Sequence, residues 1–412
     1  MPTHRGWVAV GAGLALWVSA RLLGSRDLHM LAVGIVVVPL IATLFVRWSK
    51  ARLDVRRHLS SARVFPGTRV VVSVTVGNRG RSTLPFLLLE DALPPLLGRP
   101  ARMVVSGIPT RNSETVSYSV VCRQRGRFSV GPLTIYITDP FGLARANVRV
   151  VEGSEVVVYP EVEDIQAGGL ATQGSGAGDA AVRHLYRSAA EFYTMREYVH
   201  GDDLRRIHWP SVARTRKLMI RQDESTRRAS ATVFIDSRST VLGMAGSPGF
   251  EKAISAAATL GRALIRAGFS VSLATANSAP RPVSEERLLE TLAGIGPERM
   301  KSVAGVLSGL RGSAVSDTTL AVIGAPPLAG EVPALSRLGS AFGRKLAVFV
   351  YPVALSGMSP QGAAEMEGRA SAARASLQRT GWQVHLLSPD GTLEDVWRST
   401  SSKKLRAGAL SF

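Results

Sequence analysis

Apolar positions along the chain fall into three regimes. Two near-continuous apolar runs come first, residues 6–20 and 28–46, the first extending to Leu23 if Arg21 snorkels to the interface. The second is long enough to span a bilayer, with only His29 near its start, so the pair predicts a transmembrane helical hairpin. From residue 51 to about 160 the period drops to two, in 69–76 (RVVVSVTV), 115–121 and 133–137. Turn signals separate these runs at Gly77-Asn78-Arg79-Gly80, Gly107, Gly126, Gly131-Pro132 and Asp139-Pro140, and that spacing predicts an immunoglobulin-like β-sandwich. After Arg228 short apolar strands (231–235, 270–276, 320–323, 346–351, 384–387) alternate with helical stripes (250–267, 284–293, 298–310, 362–380). This order predicts an α/β domain, a parallel sheet with helices on both faces.

These regimes divide the 412 residues into two transmembrane helices over 1–50, a sandwich over 51–161, a Gly-rich linker over 162–194, a charged segment over 195–228 and the α/β domain over 229–412. The linker contains no P-loop, because no Gly-Lys-Ser/Thr follows its glycines. A net charge of +19 calls for anionic surroundings, either nucleic acid or the inner leaflet of a membrane. Arg47, Lys50, Arg52, Arg56, Arg57 and Arg63 follow the second apolar run, which places what comes after it in the cytoplasm. Cleavage of a signal peptide after Val18-Ser19-Ala20 is the rival reading, and it leaves the same side cytoplasmic. A single cysteine, Cys122, excludes an internal disulfide framework; set in Val120-Val121-Cys122, it reads as a core residue. Asp139, before Pro140, reads as a turn former rather than a catalytic acid, and the sandwich's basic residues as a solvated face.

The densest chemistry lies in residues 195–224, MREYVHGDDLRRIHWPSVARTRKLMIRQDE. Asp202 reads as the N-cap of a short helix with Leu204 and Ile207 inward, Pro210 as its end or the next turn, and Leu218-Met219-Ile220 as the start of a strand. The run Arg196-Glu197-Tyr198, Gly201-Asp202-Asp203, Arg205-Arg206-Ile207, Trp209 and Ala213-Arg214 resembles the signature of the domain of unknown function 58 family. Residues 125–128 and 139–143 resemble the stretch that precedes it in that family. Two positions depart: His208 stands where the family usually has Asp, and Pro210 where it usually has Lys.

The resemblance implies a von Willebrand factor A-like domain after the signature. In that fold the first strand ends in Asp-x-Ser-x-Ser and helps hold a divalent cation. Here it ends Asp236-Ser237-Arg238-Ser239-Thr240: Asp236 and Thr240 match, but Arg238 replaces the first serine. Magnesium takes oxygen ligands, and a guanidinium offers only donors. In that fold a later strand supplies a second Asp, and Ala321-Val322-Ile323-Gly324-Ala325-Pro326 has none, so Asp236 and Thr240 form a degenerate site, with Arg238 expected to pair with Asp236.

Three functions compete. The leading one is non-enzymatic and needs no cofactor: a multi-pass cell-membrane scaffold or adaptor with cytoplasmic soluble domains. The resemblance implies a MoxR-type AAA+ ATPase as partner and a role in assembling or remodelling envelope or other complexes. The second is an enzyme or metal-dependent binding protein using Glu197, Asp202, Asp203 and His208. Against it, arginines beside each carboxylate compete with a metal for the same oxygens, so Asp202, Arg206 and Arg214 are expected in a buried salt-bridge hub at a domain junction, dried by Tyr198, Ile207 and Trp209. The third, nucleic-acid binding, lacks a recognised motif, and anionic lipid accounts for much of the basic charge.

Overall fold

A computed structural model of the chain describes all residues except 51–52, 82, 85, 166–192, 199–206, 208, 224–228, 300–303, 313–317 and 398–412. The chain forms two compact units, Met1–Pro160 and Glu161–Phe412.

In the first unit the two apolar runs form α1 (His4–Leu23) and α2 (Arg26–Lys50). The Thr3 hydroxyl caps α1 by accepting from the Gly6 N–H at 3.2 Å, and Gly24, at φ 66°, closes it. Gly13 lets the two helices approach closely, since a Cβ there would lie 2.7 Å from Val36 Cγ2. Among the described residues ten strands follow: β1 (Leu53–Leu59), β2 (Arg63–Val64), β3 (Arg69–Asn78), β4 (Leu87–Asp91), β5 (Ala101–Val105), β6 (Ser113–Val121), β7 (Gly126–Val130), β8 (Leu133–Thr138), β9 (Arg145–Val151) and β10 (Ser154–Val158). They form sheets ordered β1-β3-β6, β2-β10-β7 and β5-β4-β8-β9. One core joins Val74, Val76, Leu87, Leu89, Leu133 and Ile135; another joins Val70, Val72, Cys122, Phe128 and Val156. The first also takes in Ala42 and Val46, so the end of the second apolar run packs on the β-domain rather than standing free. Burial pushes the Cys122 thiol up, as befits a core cysteine. Asp139 is buried in a turn, its Oδ2 accepting from the Phe141 N–H at 2.9 Å and its Oδ1 from the Ala144 N–H at 2.5 Å.

The expected solvated basic face needs a correction at Arg57. Its side chain and that of Asp91 are both 0% exposed, with Nη2 2.6 Å from Oδ1. Tyr118 Oη donates to the other Asp91 oxygen at 2.7 Å, and Arg57 Nη1 donates to the carbonyls of Val130 (2.8 Å) and Glu152 (3.0 Å). A guanidinium with this many acceptors is stable in a core that would expel an unpaired charge.

The second unit contains the antiparallel pair β11 (Tyr193–Glu197) and β12 (Met219–Asp223), with α3 (Trp209–Thr215) between them in sequence. Its main sheet is built from β13 (Ser230–Ile235), β14 (Ser270–Thr275), β15 (Ser278–Pro282), β16 (Thr319–Gly324), β17 (Arg344–Val350) and β18 (Gln383–Leu387), ordered β15-β14-β13-β16-β17-β18. All neighbours are parallel except β14 and β15, so the expected parallel sheet carries one antiparallel edge strand, where Pro280 and Pro282 are tolerated. Its helices are α4 (Ser239–Leu242), α5 (Pro248–Arg266), α6 (Glu285–Gly294), α7 (Ala304–Gly312), α8 (Val332–Gly339) and α9 (Pro360–Arg379). Residues of α7, α8 and α9 pack with Phe234, Leu320, Val322 and Phe349, while α5 runs across β13, β14, β16 and β17. The helix expected from residue 298 starts instead at Ala304; Glu298 pairs by backbone with Arg238. Most of the expected linker lies outside the described residues. Its early residue Glu163 accepts from Lys252 Nζ at 2.7 Å and from the Leu393 N–H at 2.6 Å, tying the unit's first residues to α5 and to its end.

Candidate functional site

Because β14 lies on one side of β13 and β16 on the other, the winding reverses between β13 and β16, and the carboxyl ends of these strands frame a crevice. Open α/β sheets bind ligands at such a point. Asp236 follows β13, its N–H donating to the Ile323 carbonyl at 2.8 Å. Arg238, expected to pair with Asp236, turns back across the crevice: Nε lies 2.8 Å from Asp236 Oδ1 and Nη2 2.7 Å from Oδ2. Nη1 reaches Glu331 Oε1 at 2.6 Å, and the other Glu331 oxygen accepts from the Leu328 N–H at 3.1 Å. The Arg238 side chain is 3% exposed. Burial opposes its charge, but the two carboxylates more than offset this and hold its pKa above the ordinary arginine value. Burial, reinforced by the charge of Asp236, pushes the nearby Glu298 carboxyl up.

The residues around this crevice do not fit a divalent cation. Both Asp236 oxygens are engaged by Arg238, and Thr240 is an exposed residue of α4. A second carboxylate cannot stand at the end of β16, because a Cβ on Gly324 would lie 2.9 Å from Asp236 Cβ. Among the described residues no three His, Cys, Asp or Glu side chains gather as a metal site. The cavity beside Arg238, lined by Phe234, Leu307, Leu335 and Phe349, measures about 20 Å³, room for a single water. What the arrangement does chemically is to latch the 325–331 loop and the start of α8 to the end of β13. Sequence reasoning missed Glu331; the signal that could have found it was the need of a buried guanidinium for a second acceptor.

Only part of the expected hub falls within the described residues. Gly201, Asp202, Asp203, Arg205, Arg206 and His208, with the N-cap assigned to Asp202, lie outside the described residues. Arg196 and Glu197 belong to β11, and Pro210 is the second residue of α3, so it opens a helix rather than ending one. Glu197 pairs with Lys217 Nζ at 2.5 Å, and both side chains are exposed. Arg214 is exposed, Tyr198 is half-buried, and Trp209 is 66% exposed. The expectation that Trp209 dries a buried cluster is therefore corrected: at the first position of a short helix its ring faces solvent.

Residues 194–307, from β11 into α7, match the family described as "Protein of unknown function DUF58". The family resemblance read from the signature holds over that segment. The chain is similar to the uncharacterized protein YeaD of Bacillus subtilis (strain 168), with 22% identity over 245 residues, and it spans 57% of this chain and 59% of that relative's length. Among solved structures, the CARDB domain of a Pyrococcus furiosus protein, in complex with di-metal ions, overlaps 26% of this chain and 91% of its own, at 15% identity and a TM-score of 0.21. A β-glucosidase from Listeria innocua overlaps 26% of this chain and 16% of its own, at 13% identity and a TM-score of 0.17. Likeness at these TM-scores does not identify a fold.

Proposed function

We propose that the chain is a membrane-anchored scaffold or adaptor whose sandwich and von Willebrand factor A-like domains lie in the cytoplasm, where it works with a MoxR-type AAA+ ATPase in assembling or remodelling envelope or other complexes. The observation that carries this reading is the filled crevice. Where a sheet wound this way would take a small ligand, the protein's own guanidinium lies between two carboxylates, so recognition falls to surfaces. Two helices, His4–Leu23 and Arg26–Ser49, are long and apolar enough to cross a membrane, which supports the anchor. The basic residues after α2 support the orientation.

The test is affinity purification of the full-length protein from detergent extracts, with and without ATP, beside a reporter fused after Phe412. ATP-dependent recovery of an AAA+ ATPase and a reporter active only in the cytoplasm are expected. A small molecule or metal retained stoichiometrically instead of a protein, or a periplasmically active reporter, would overturn the reading.

A further inference from the structure

The β8–β9 turn is tied to the first turn of α1. Thr3 N–H donates to the Leu143 carbonyl at 2.8 Å and Thr3 Oγ1 to the Gly142 carbonyl at 2.7 Å. Pro2 bridges Ala144, and the Met1 ammonium donates to the Arg145 carbonyl at 2.7 Å. Gly6 runs so close beneath the turn that a Cβ there would collide with the Leu143 carbonyl oxygen. On the other side, Ala144 shares a core with Ala42 and Val46 near the end of α2. The turn is thus held at the level where one apolar helix begins and the other ends.

At that level the turn exposes an aromatic ring. Phe141 is 72% exposed, although the turn around it is fixed by the two Asp139 hydrogen bonds and by Gly142, whose φ of 69° suits glycine. The same ends of the helices carry exposed Trp7 and Trp48 together with exposed Arg5 and Arg47. Aromatic rings and basic side chains at the ends of spanning helices mark the bilayer–water interface. An apolar ring on a rigid turn at that depth has one chemically matched surrounding, the boundary between headgroups and acyl chains.

We propose that the 139–144 turn is a membrane contact of the folded β-domain. Phe141 enters the interface of the leaflet from which α1 and α2 emerge, and Arg5 and Arg47 meet anionic headgroups there. The β-domain is then seated on the bilayer rather than hanging from it. This rests on the reading of α1 and α2 as membrane-spanning.

The test uses the full chain in vesicles of phosphatidylcholine and phosphatidylglycerol, with its single cysteine removed as Cys122→Ala. Nitroxide labels are placed one at a time at Phe141→Cys, at Val37→Cys in α2, and at Gln124→Cys in the loop after β6, at the end of β6 opposite the register of Leu53. Collision with oxygen is compared with collision with a water-soluble nickel chelate. Oxygen should dominate several-fold at 37 and 141, and the nickel chelate at 124. A label at 141 that behaves like 124 while 37 remains in lipid overturns the contact and leaves the anchor standing. A water-exposed label at 37 overturns both.

Discussion

Replacing Arg238 by Met would remove the cation from the crevice while keeping most of its volume. Asp236 and Glu331 would then face each other without the guanidinium that bonds to both. Removing one partner of a buried pair costs about 3–5 kcal/mol, because a charge is stranded. Glu331, whose side chain is 21% exposed, can regain water, which argues for the lower end, about 3 kcal/mol. For a domain of this size about 1 kcal/mol moves the melting temperature by roughly 2–4 °C, so a fall on the order of 10 °C is expected. The assay is thermal unfolding of the full chain in detergent, followed by tryptophan emission, to which Trp382 and Trp397, both buried in the α/β unit, contribute. Arg238→Lys should recover only part of the loss, since an ammonium cannot make the fork to Asp236 and still reach Glu331. The triple change Arg238→Met, Asp236→Asn, Glu331→Gln should recover most of it, because no charge is left stranded. If the triple variant melts as low as Arg238→Met, the loss is one of packing and the electrostatic reasoning fails. Magnesium should leave the melting temperature of the unmodified chain unchanged, since an ion that bound the native state would raise it; a saturable rise would refute the claim that the guanidinium stands in the cation's place.

Three further outcomes are expected. Arg57→Met should destabilise the sandwich by about 3–5 kcal/mol by stranding Asp91, read as an earlier urea midpoint with an unchanged slope; Arg57→Lys should not rescue it, since an ammonium's three donors leave one of the four acceptors Asp91, Val130, Glu152 and Ser154 unmet and cannot spread across them as the guanidinium does. His385 is 3% exposed, and burial, aided by the charge of Arg374, lowers its pKa to about 4. The unfolded chain then binds the extra proton between that value and about 6.5, so stability present at neutral pH is lost as pH falls through this window, by about 2 kcal/mol between pH 7 and pH 5. His385→Phe, which keeps a ring against Trp397, should remove that share of the acid sensitivity in paired melts, and an undiminished slope would contradict it. Glu197→Gln should leave the melting temperature unchanged, because the pair with Lys217 stands in solvent; a large drop would reinstate a buried role for the signature.

Much of the fold was legible because burial follows local pattern. In β3 the alternation of Arg69-Val70-Val71-Val72-Ser73-Val74 is the alternation of exposed and buried side chains, and the stripe expected over 284–293 is α6, with Ser284 as its cap. Elements were missed where the pattern was local noise around a distant partner. The strand 53–59 carries Arg56, Arg57 and His58 and reads as a membrane-flanking basic run; what makes Arg57 a core residue is Asp91, on a strand of another sheet, and Tyr118 on β6. The edge strand β15 reads Ser-Ala-Pro-Arg-Pro, and its two prolines conceal it because an edge position, which makes them harmless, is a property of the sheet rather than of the segment.

The two candidate sites differ in the same way. Asp236 and Arg238 are two residues apart at the end of an apolar strand, so their pairing follows from short-range geometry; Glu331 lies 93 residues beyond Arg238 and is brought in by the loop after β16. The signature offered the opposite situation, many charges close in sequence with aromatics among them, and composition of that kind describes a dry hub and a wet surface equally well. For the described residues the surface reading holds, because Glu197, the last residue of β11, pairs with Lys217, two residues before β12, with both side chains exposed, and Trp209 stands exposed at the start of the helix between the strands. The matched segment 194–307 thus joins an antiparallel strand pair that leaves Trp209 exposed to a crevice closed by its own arginine.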